Sequence, residues 1–233
     1  TRPYASIWFK IVSLVIYETE PRIGKLCCTW SFNMNYKFPV FNFGLVQRKE
    51  RNIMRNLIVT EFMSLDGVIE NPMWTFKYWN DEIAKFKGEE TSNNEPILLG
   101  RVTYEGFAQA WPQRTDEESG GVYFNGTRKY VVSTTLNKAD WNNSVIISDN
   151  IIDEIKKLKA EDGPNIMVHG SGALIQTLIK NDLVDKFRLL VYPVVLGKGQ
   201  RLFADGTTAT LNLLETRTFT GGVTALIYEP ARE

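Results

Sequence analysis

The segment NIMVHGSGALIQTLIK, residues 165–180, decides the fold class. Three apolar residues at 166–168 predict a buried strand, Gly170 and Gly172 predict a turn, and leucine and isoleucine at helical spacing predict a helix over 173–180. This order of elements favours a phosphate site, because a helix N-terminus presents free N–H groups and the positive end of its dipole. A plain connection in an α/β core is about equally consistent, since the third glycine of the dinucleotide fingerprint is missing.

Length and composition set the outer limits. The chain has 233 residues, enough for one large domain or for one domain with an appendage, and its hydrophobic fraction of 43% is ordinary for a soluble globular protein. Basic and acidic residues both number 27, so no basic excess indicates nucleic acid. The apolar run at residues 6–17 is too short for a membrane helix and is interrupted by Lys10. We therefore expect neither nucleic acid nor a membrane as partner.

The net charge of the sequence is positive before Met54 and negative from Met54 onward. Eight basic and three acidic residues precede it, whereas nineteen basic and twenty-four acidic residues follow from Met54 onward. Cys27 and Cys28 lie before this point, and no aspartate does. We therefore expect residues 1–53 to be an N-terminal extension, non-native or poorly ordered, and residues 54–233 to form the domain. The absence of cysteine from 54 onward fits a reducing cytoplasm.

Strands alternate with helices through the middle of residues 54–233, and strands pair at the end. This alternation predicts an α/β fold with a mixed, mostly parallel sheet, helices on both faces and an antiparallel C-terminal edge. The polar, glycine-bearing segment 114–125 is predicted to be a surface loop. Helices are expected at 78–87, 103–110, from 150 or 153 to 159, and at 173–180. Strands are expected at 56–63, 96–99, 129–133, 145–148, 166–168, 184–193, 210–219 and 223–228.

Glycines, hydroxyl side chains and cations follow several of the predicted strands. Ligands of open α/β sheets bind beyond the carboxyl ends of the strands, and such residues suit a phosphate-bearing ligand. At the second strand end, a plain helix cap by Thr103 beside a solvated Arg101 is the competing interpretation. The candidates in chain order are Ser64, Asp66 and Gly67; Gly100, Arg101 and Thr103; Ser133 and Thr134; His169, Gly170, Ser171 and Gly172; and Pro193, Gly197, Lys198 and Gly199.

Two other kinds of site are disfavoured. Residues 54–233 contain one histidine and no cysteine, which leaves carboxylates without paired spacing, so no metal site is predicted. A Ser-His-Asp hydrolase would use His169 as its base, but the chain has no Gly-x-Ser-x-Gly elbow. At the start of the predicted helix, Ser171 is better suited to capping or phosphate contact than to nucleophilic attack.

Five motifs follow one another along residues 54–233: SLDGVIE at 64–70, ILLGRVTYEGFAQAWP at 97–112, KYVVSTTL at 129–136, IMVHGSGALIQTLI at 166–179 and LVYPVVLGKGQRLF at 190–203. Together they resemble the bacterial dihydrofolate-reductase-like proteins that share the reductase domain of the riboflavin-pathway deaminase/reductase. Residues 1–53 have no counterpart in that family. The resemblance implies a three-layer αβα sandwich around a mixed sheet, with NADPH bound across the strand ends and a homodimer as the assembly.

The resemblance also implies a role for each candidate residue. Asp66 would face the nicotinamide and the substrate, and Glu82, counted back from Phe86, would take the place of the carboxylate that binds the pteridine in true dihydrofolate reductases. No distinct basic cluster beyond Lys198 and Arg201 is present for a ribosyl phosphate. The implied cofactor residues are Gly100, Arg101 and Thr103 at the phosphates, Ser133 and Thr134 near the 2′-phosphate, Gly170, Ser171 and Gly172 at the pyrophosphate, and His169 leading into that turn; the implied substrate residues are Ser64, Gly197 and Lys198.

The sequence therefore predicts a cytoplasmic NADPH-dependent reductase that transfers hydride to a C=N or C=O carbon of a small substrate, pterin-like or riboflavin-precursor-like. Asp66 is the first candidate for the proton donor and Glu82 the second, although an Asp-Gly pair is also an ordinary turn. The competing hypothesis is a nucleotide-binding or regulatory protein that kept the fold without turnover.

Overall fold

One eight-stranded sheet runs through the residues that the computed structural model describes, 54–115 and 120–232. Its strands are β1 (Leu57–Ser64), β2 (Ile97–Gly100), β3 (Lys129–Val132), β4 (Ser144–Ile147), β5 (Ile166–His169), β6 (Lys186–Tyr192), β7 (Leu211–Thr218) and β8 (Thr224–Pro230). Their order across the sheet is β4-β3-β2-β5-β1-β6-β8-β7. The first six strands run parallel, and β8 pairs antiparallel with both β6 and β7. The predicted mostly parallel sheet with an antiparallel C-terminal edge is confirmed.

The register places the ends of the central strands side by side. β1 lies between β5 and β6, with Thr60 opposite His169 on one side and opposite Arg188 on the other. β2 pairs with the far side of β5, where Leu98 lies opposite Val168. The carboxyl ends of β2, β5 and β1 therefore meet at one edge of the sheet, which is where an open α/β sheet binds its ligand.

Five α-helices and one 3₁₀ helix are found in the described ranges: the 3₁₀ helix at Pro72–Tyr78, α1 (Asp81–Gly88), α2 (Arg101–Ala110), α3 (Gly121–Gly126), α4 (Ile151–Ala160) and α5 (Gly172–Lys180). α1 begins after Asn80, whose side chain accepts a hydrogen bond from the N–H of Ile83. The helix expected at 78–87 is therefore found at Asp81–Gly88, and Tyr78 belongs to the preceding 3₁₀ helix.

The prediction of a surface loop at 114–125 is wrong at its end, where α3 lies. Polar residues and the glycines at 120 and 121 made the segment look like a loop. Tyr123 and Phe124 nevertheless bury their rings, and Phe124 stacks on Trp111 with ring centroids 4.0 Å apart. Burying these aromatic side chains offsets the low helix propensity of the glycines.

Helices cover both faces of the sheet, because neighbouring residues of each strand belong to opposite cores. Leu98 packs in one hydrophobic cluster with α4 and α5, whereas Leu99 packs in another with α2 and α3. Leu190 packs in a third cluster with Ile83 and Phe86 of α1. The αβα sandwich expected from the sequence is therefore confirmed. The prediction for residues 1–53 lies outside the described residues, and within the described ranges no helix is long and apolar enough to cross a membrane.

Candidate active site

A cleft of about 1140 Å³ opens where the carboxyl ends of β1, β2 and β5 meet. Small-molecule sites commonly enclose about 300–1,000 Å³, so this cleft has room for a cofactor and a second ligand together. Its lining comprises residues 60–62, 69–72, 76, 79, 84, 87, 88, 90, 91, 100–103, 107, 111, 114, 120, 124, 169–174 and 200.

Two helix N-termini open onto this cleft side by side. α2 follows β2 directly, α5 follows β5 after a two-residue turn, and β2 and β5 are neighbours in the sheet. The Ser171 hydroxyl joins them, since its Oγ accepts a 2.8 Å hydrogen bond from the N–H of Gly100. Free N–H groups and two positive dipole ends therefore converge on one point, which suits an anion such as a pyrophosphate.

The backbone of the glycine turn is held close to its neighbours. Gly170 adopts a φ of +58°, and a Cβ there would lie 3.1 Å from Cγ2 of Thr103. A Cβ on Gly172 would come within 2.6 Å of the side-chain amide of Gln200. Without a Cβ at these positions, the backbone of the turn can be approached closely by a ligand in the cleft, which both glycines line, so the residues fit the phosphates of a dinucleotide.

Most of the predicted cofactor residues line this cleft, but two do not. Ser133 and Thr134 lie outside the lining, and the Ser133 hydroxyl accepts hydrogen bonds from the N–H groups of Thr135 and Leu136, so it stabilises its own turn. The guanidinium of Arg101 is 43% exposed and pairs with Glu105 at 2.9 Å. Those that line it are Gly100, Arg101, Thr103, His169, Gly170, Ser171 and Gly172.

Asp66 lies outside the lining, in the loop after β1. Its carboxylate accepts hydrogen bonds from the Ser64 hydroxyl at 2.7 Å and from the N–H groups of Leu196 and Gly197 at 3.1 and 2.8 Å. These hydrogen bonds, that of Ser64 first, lower the pKa of Asp66 to about 2. An ionised carboxylate with these partners tethers two loops, and this geometry gives no support to the prediction that Asp66 donates a proton.

The remaining predicted residues also lie outside the cleft. Glu82 accepts a 2.7 Å hydrogen bond from the N–H of Thr220, and that contact lowers its pKa. α1 instead turns Ala84, Lys87 and Gly88 towards the cleft, so the carboxylate implied by the resemblance is not there. Ser64, Gly197 and Lys198, the expected substrate residues, are likewise absent from the lining.

Sequence reasoning missed a buried charged cluster at the base of the cleft. The Glu90 carboxylate, 2% exposed, accepts hydrogen bonds from the Thr60 hydroxyl at 3.0 Å and from Nε of Arg188 at 2.8 Å, and it forms an ion pair with Lys87. Burial alone would raise the pKa of Glu90, but the charge of Lys87 and these contacts hold it below its ordinary value. These residues come from β1, from α1 and its following turn, and from β6, and no spacing along the chain signals that they meet.

His169 faces this cluster as a neutral imidazole. Burial first, and the charge of Lys87 second, lower its pKa to about 3. The ring of Phe124 lies 5.3 Å away, and no described residue forms a hydrogen bond with Nε2. The predicted placement of His169 beside the glycine turn fits this position, and its low pKa disfavours proton transfer near neutral pH.

Glu61 on β1 is the other buried acid at the cleft. Its side chain follows Leu57 and Val59 on one face of the strand, and Oε1 has no hydrogen-bond partner among the described residues. Burial first, with Glu90 adding to it, raises the pKa of Glu61 to about 8, while Lys87 and the N–H of Gly170 oppose the shift. The signal available in the sequence was a glutamate inside the apolar run NLIVTEFM at 56–63.

No group of three or more His, Cys, Asp or Glu side chains in the described ranges is arranged to hold a metal ion. The cleft combines an anion-binding turn, aromatic walls and buried acids.

Comparison with curated proteins supports the sequence resemblance. The chain is 35% identical over 184 residues to Uncharacterized protein YyaP of Bacillus subtilis (strain 168), which covers 77% of this chain and 95% of that protein. It is 28% identical over 173 residues to Uncharacterized protein YwjB of the same organism, covering 71% and 92%.

Solved structures show the same fold at low identity. A protein from Shewanella sp. PV-4 that is named for riboflavin biosynthesis has a TM-score of 0.60 at 21% identity and covers 76% of this chain and 99% of its own. A pyrimidine reductase-like protein from Corynebacterium diphtheriae has a TM-score of 0.55 at 12% identity, covering 77% and 93%. Dihydrofolate reductase from Enterococcus faecalis, in complex with NADP(H) and RAB-propyl, has a TM-score of 0.51 at 15% identity, covering 76% and 97%.

These likenesses establish a dihydrofolate-reductase-like α/β fold, and the model of one family matches residues 55–225, which span the sheet from before β1 into β8. On that match, the chain belongs to the RibD C-terminal domain family.

Proposed function

We propose that this protein is an NADPH-dependent reductase that transfers hydride to a C=N or C=O carbon of a small heterocyclic substrate. The observation that carries the proposal is the pair of helix N-termini at Gly100 and Gly172, joined through Ser171 at the sheet edge. A dinucleotide needs such a site for its pyrophosphate, and membership of the RibD C-terminal domain family, together with the fold likeness to a dihydrofolate reductase in complex with NADP(H), supports the same assignment.

The far side of the cleft suits a planar substrate. Phe62, Phe76 and Trp79 line it, and the rings of Phe76 and Trp79 are 64% and 48% exposed, so their faces are free to stack on a heterocycle. Lys87 is the charged group that α1 presents there, where the resemblance had placed a carboxylate. Aromatic faces beside the Lys87–Glu90 ion pair suit a planar heterocycle with carbonyl and amine groups, either pterin-like or riboflavin-precursor-like.

Bound NADPH would supply the hydride. The residues of the chain would bind its phosphates at the glycine turn, order the substrate against the aromatic wall, and keep water from the reacting atoms between them. The homodimer and the cytoplasmic location expected from the sequence stay predictions.

A second candidate is a nucleotide-binding protein without turnover. The observation that favours it is the placement of both predicted proton donors, since Asp66 and Glu82 bind backbone N–H groups outside the cleft. Such a protein would bind NADPH and leave it unoxidised in the presence of every acceptor.

The test is a titration of the full-length protein with NADPH, followed by its fluorescence, for wild type and for Gly170→Ala. Alanine at the φ of Gly170 costs about 1–2 kcal/mol, and its Cβ would lie 3.1 Å from Cγ2 of Thr103, so relief of this strain should displace the turn and weaken NADPH binding about 5–30-fold. Gly106→Ala is the matched control, because Gly106 lies in α2 with nothing within 4 Å of its would-be Cβ. Absence of NADPH binding by wild type would refute the cofactor assignment.

Turnover is tested on the same preparations. NADPH absorbance would be followed with dihydrofolate, a ribosylaminopyrimidine and a set of aldehydes and ketones as acceptors. Oxidation by one of these acceptors supports the reductase, and binding without oxidation by any of them favours the second candidate.

A further inference from the structure

Glu61 stands where the pattern of β1 calls for an apolar side chain. Leu57 and Val59, on the same face of the strand, are fully buried in the hydrophobic core. Glu61 is itself 7% exposed, and its Oε1 has no hydrogen-bond partner among the described residues. A buried polar atom without a partner costs free energy, so a reason outside core packing is required.

The position of Glu61 supplies that reason. Glu61 lines the cleft, as does Gly170, and the register of β1 against β5 sets these two residues next to each other, one position beyond the pair Thr60 and His169. Glu61 is therefore next to the turn that would hold the cofactor and directly precedes Phe62, which belongs to the aromatic wall that would hold the substrate, and one of its oxygens is left for a ligand.

The charges around Glu61 come from the elements packed on the sheet. Lys87 from α1 favours its ionised form, Glu90 from the turn after α1 disfavours it, and His169 from β5 is neutral. Burial outweighs the attraction of Lys87 and raises the pKa of Glu61 to about 8, so the carboxyl carries its proton at pH 7.

The other acids at or near the cleft are ionised or exposed to solvent, so they do not hold a proton that could be donated to a ligand. Glu90 is held ionised by Lys87 and Arg188, and Asp66 by the contacts of its loop. The Glu70 carboxylate accepts the N–H of Gln200 and its residue is exposed. Among the described residues that line the cleft, Glu61 is the acid that holds a proton in a water-poor place.

We propose that Glu61 is the acid that protonates the substrate in the reaction proposed above, on which this inference rests. The carboxyl O–H bond breaks and its proton forms a new N–H or O–H bond on the heteroatom of the C=N or C=O group. The adjacent carbon receives the hydride, so the substrate is reduced and the dihydronicotinamide is oxidised. Glu61 is left as a carboxylate, which a proton from water restores before the next turnover.

The first test needs no substrate and no cofactor. Infrared difference spectra of the full-length protein between pH 6 and pH 10 should show a protonated carboxyl whose signal is lost with a midpoint near 8. Glu61→Gln should lack this signal, whereas Glu154→Gln, a matched change at a surface glutamate of α4, should keep it. A Glu61 carboxyl that is already ionised at pH 6 would overturn the proposal.

The second test separates binding from chemistry. Glu61→Gln should bind NADPH within about twofold of wild type but oxidise it about 10²–10⁴-fold more slowly with the best acceptor, which is the usual contribution of a general acid. The wild-type rate should fall about tenfold per pH unit above 8, while the variant's rate should stay flat, and Glu61→Asp should restore part of it. Equal rates in wild type and Glu61→Gln would overturn the role of Glu61 alone, whereas NADPH binding without oxidation by any acceptor would overturn the reductase and this role together.

Discussion

Replacing Glu90 with glutamine should lower the free energy of unfolding by about 3 kcal/mol, because it removes the buried counterion of two cations. The Lys87 and Arg188 side chains are 18% and 15% exposed, and both direct their charge at the Glu90 carboxylate, which is 2% exposed. Glutamine keeps the shape and the contact with Thr60 but loses the charge. The cations would then be held close together in a place that water reaches poorly.

The size of this loss in unfolding free energy depends on the contacts that each cation keeps in the variant. Removing one partner of a buried ion pair costs about 3–5 kcal/mol. The lower end applies here, because Arg188 keeps a 2.9 Å contact with Glu89 and donates to the carbonyl oxygen of Phe86. Glu161→Gln is the matched control, since the Glu161 carboxylate is 56% exposed and its partner Arg55 keeps its hydrogen bonds to the carbonyl oxygens of Pro164 and Leu158, so the loss should be about 1 kcal/mol or less.

Urea unfolding followed by circular dichroism measures both variants by linear extrapolation. The double variant Lys87→Met with Glu90→Gln should lose less free energy of unfolding than the two single variants lose together, and the difference, the coupling energy, should be about 1–3 kcal/mol. The pKa of Glu90 is lowered in the folded protein, so its contribution is complete above the ordinary value of 4.5 and is lost as the pH falls through the folded value. A loss no larger than that of Glu161→Gln at pH 7 would refute the reasoning.

Three further predictions concern single sites. His169 is the one histidine of the chain, so its single imidazole resonance in NMR should not shift between about pH 4.5 and 8, since burial keeps its pKa at about 3; a midpoint near 6.5 would contradict this. Asp66→Asn should be less stable than wild type in urea at pH 7, and the difference should close as the pH falls from 3.8 towards 2, where wild type also loses the carboxylate. Leu98→Ala, at a fully buried position, should lose about 3 kcal/mol by the same method, and Leu214→Ala, at a 47% exposed position on the edge strand, should stay within about 0.5 kcal/mol; equal losses would argue against the core assignment.

The strands and the glycine turn could be predicted because their signals are local. An apolar run such as residues 166–168 followed by Gly170 carries its own evidence, and so does the helix that begins at Gly172. α3 could not be predicted, because the polar residues and glycines of segment 114–125 are typical of a loop, whereas the helix is stabilised by Phe124 packing on Trp111.

The candidate site likewise has one part with local sequence signals and another part that depends on long-range contacts. The anion-binding part lies in two short segments around Gly100 and Gly170, so the sequence pointed to it. The contacts of Asp66 could not be predicted, because its partner Gly197 is 131 positions away and a carboxylate in a loop shows nothing of the N–H groups that bind it. Lys87 and Glu90 meet Thr60 only through the packing of α1 on β1, which no spacing reveals.

The place of β1 in the sheet has a consequence for how the chain folds. Although β1 comes first among the strands of the described residues, its two neighbours β5 and β6 come more than a hundred positions later, and the hydrogen bond between Asn56 and Asn165 joins residues 109 apart. During synthesis, the LIVTEFM segment of β1 therefore has no neighbouring strand to pair with until most of the domain has left the ribosome. Refolding should accordingly be slow for a domain of this size and should lose yield as concentration rises, because an unpaired apolar strand also pairs with other copies of itself.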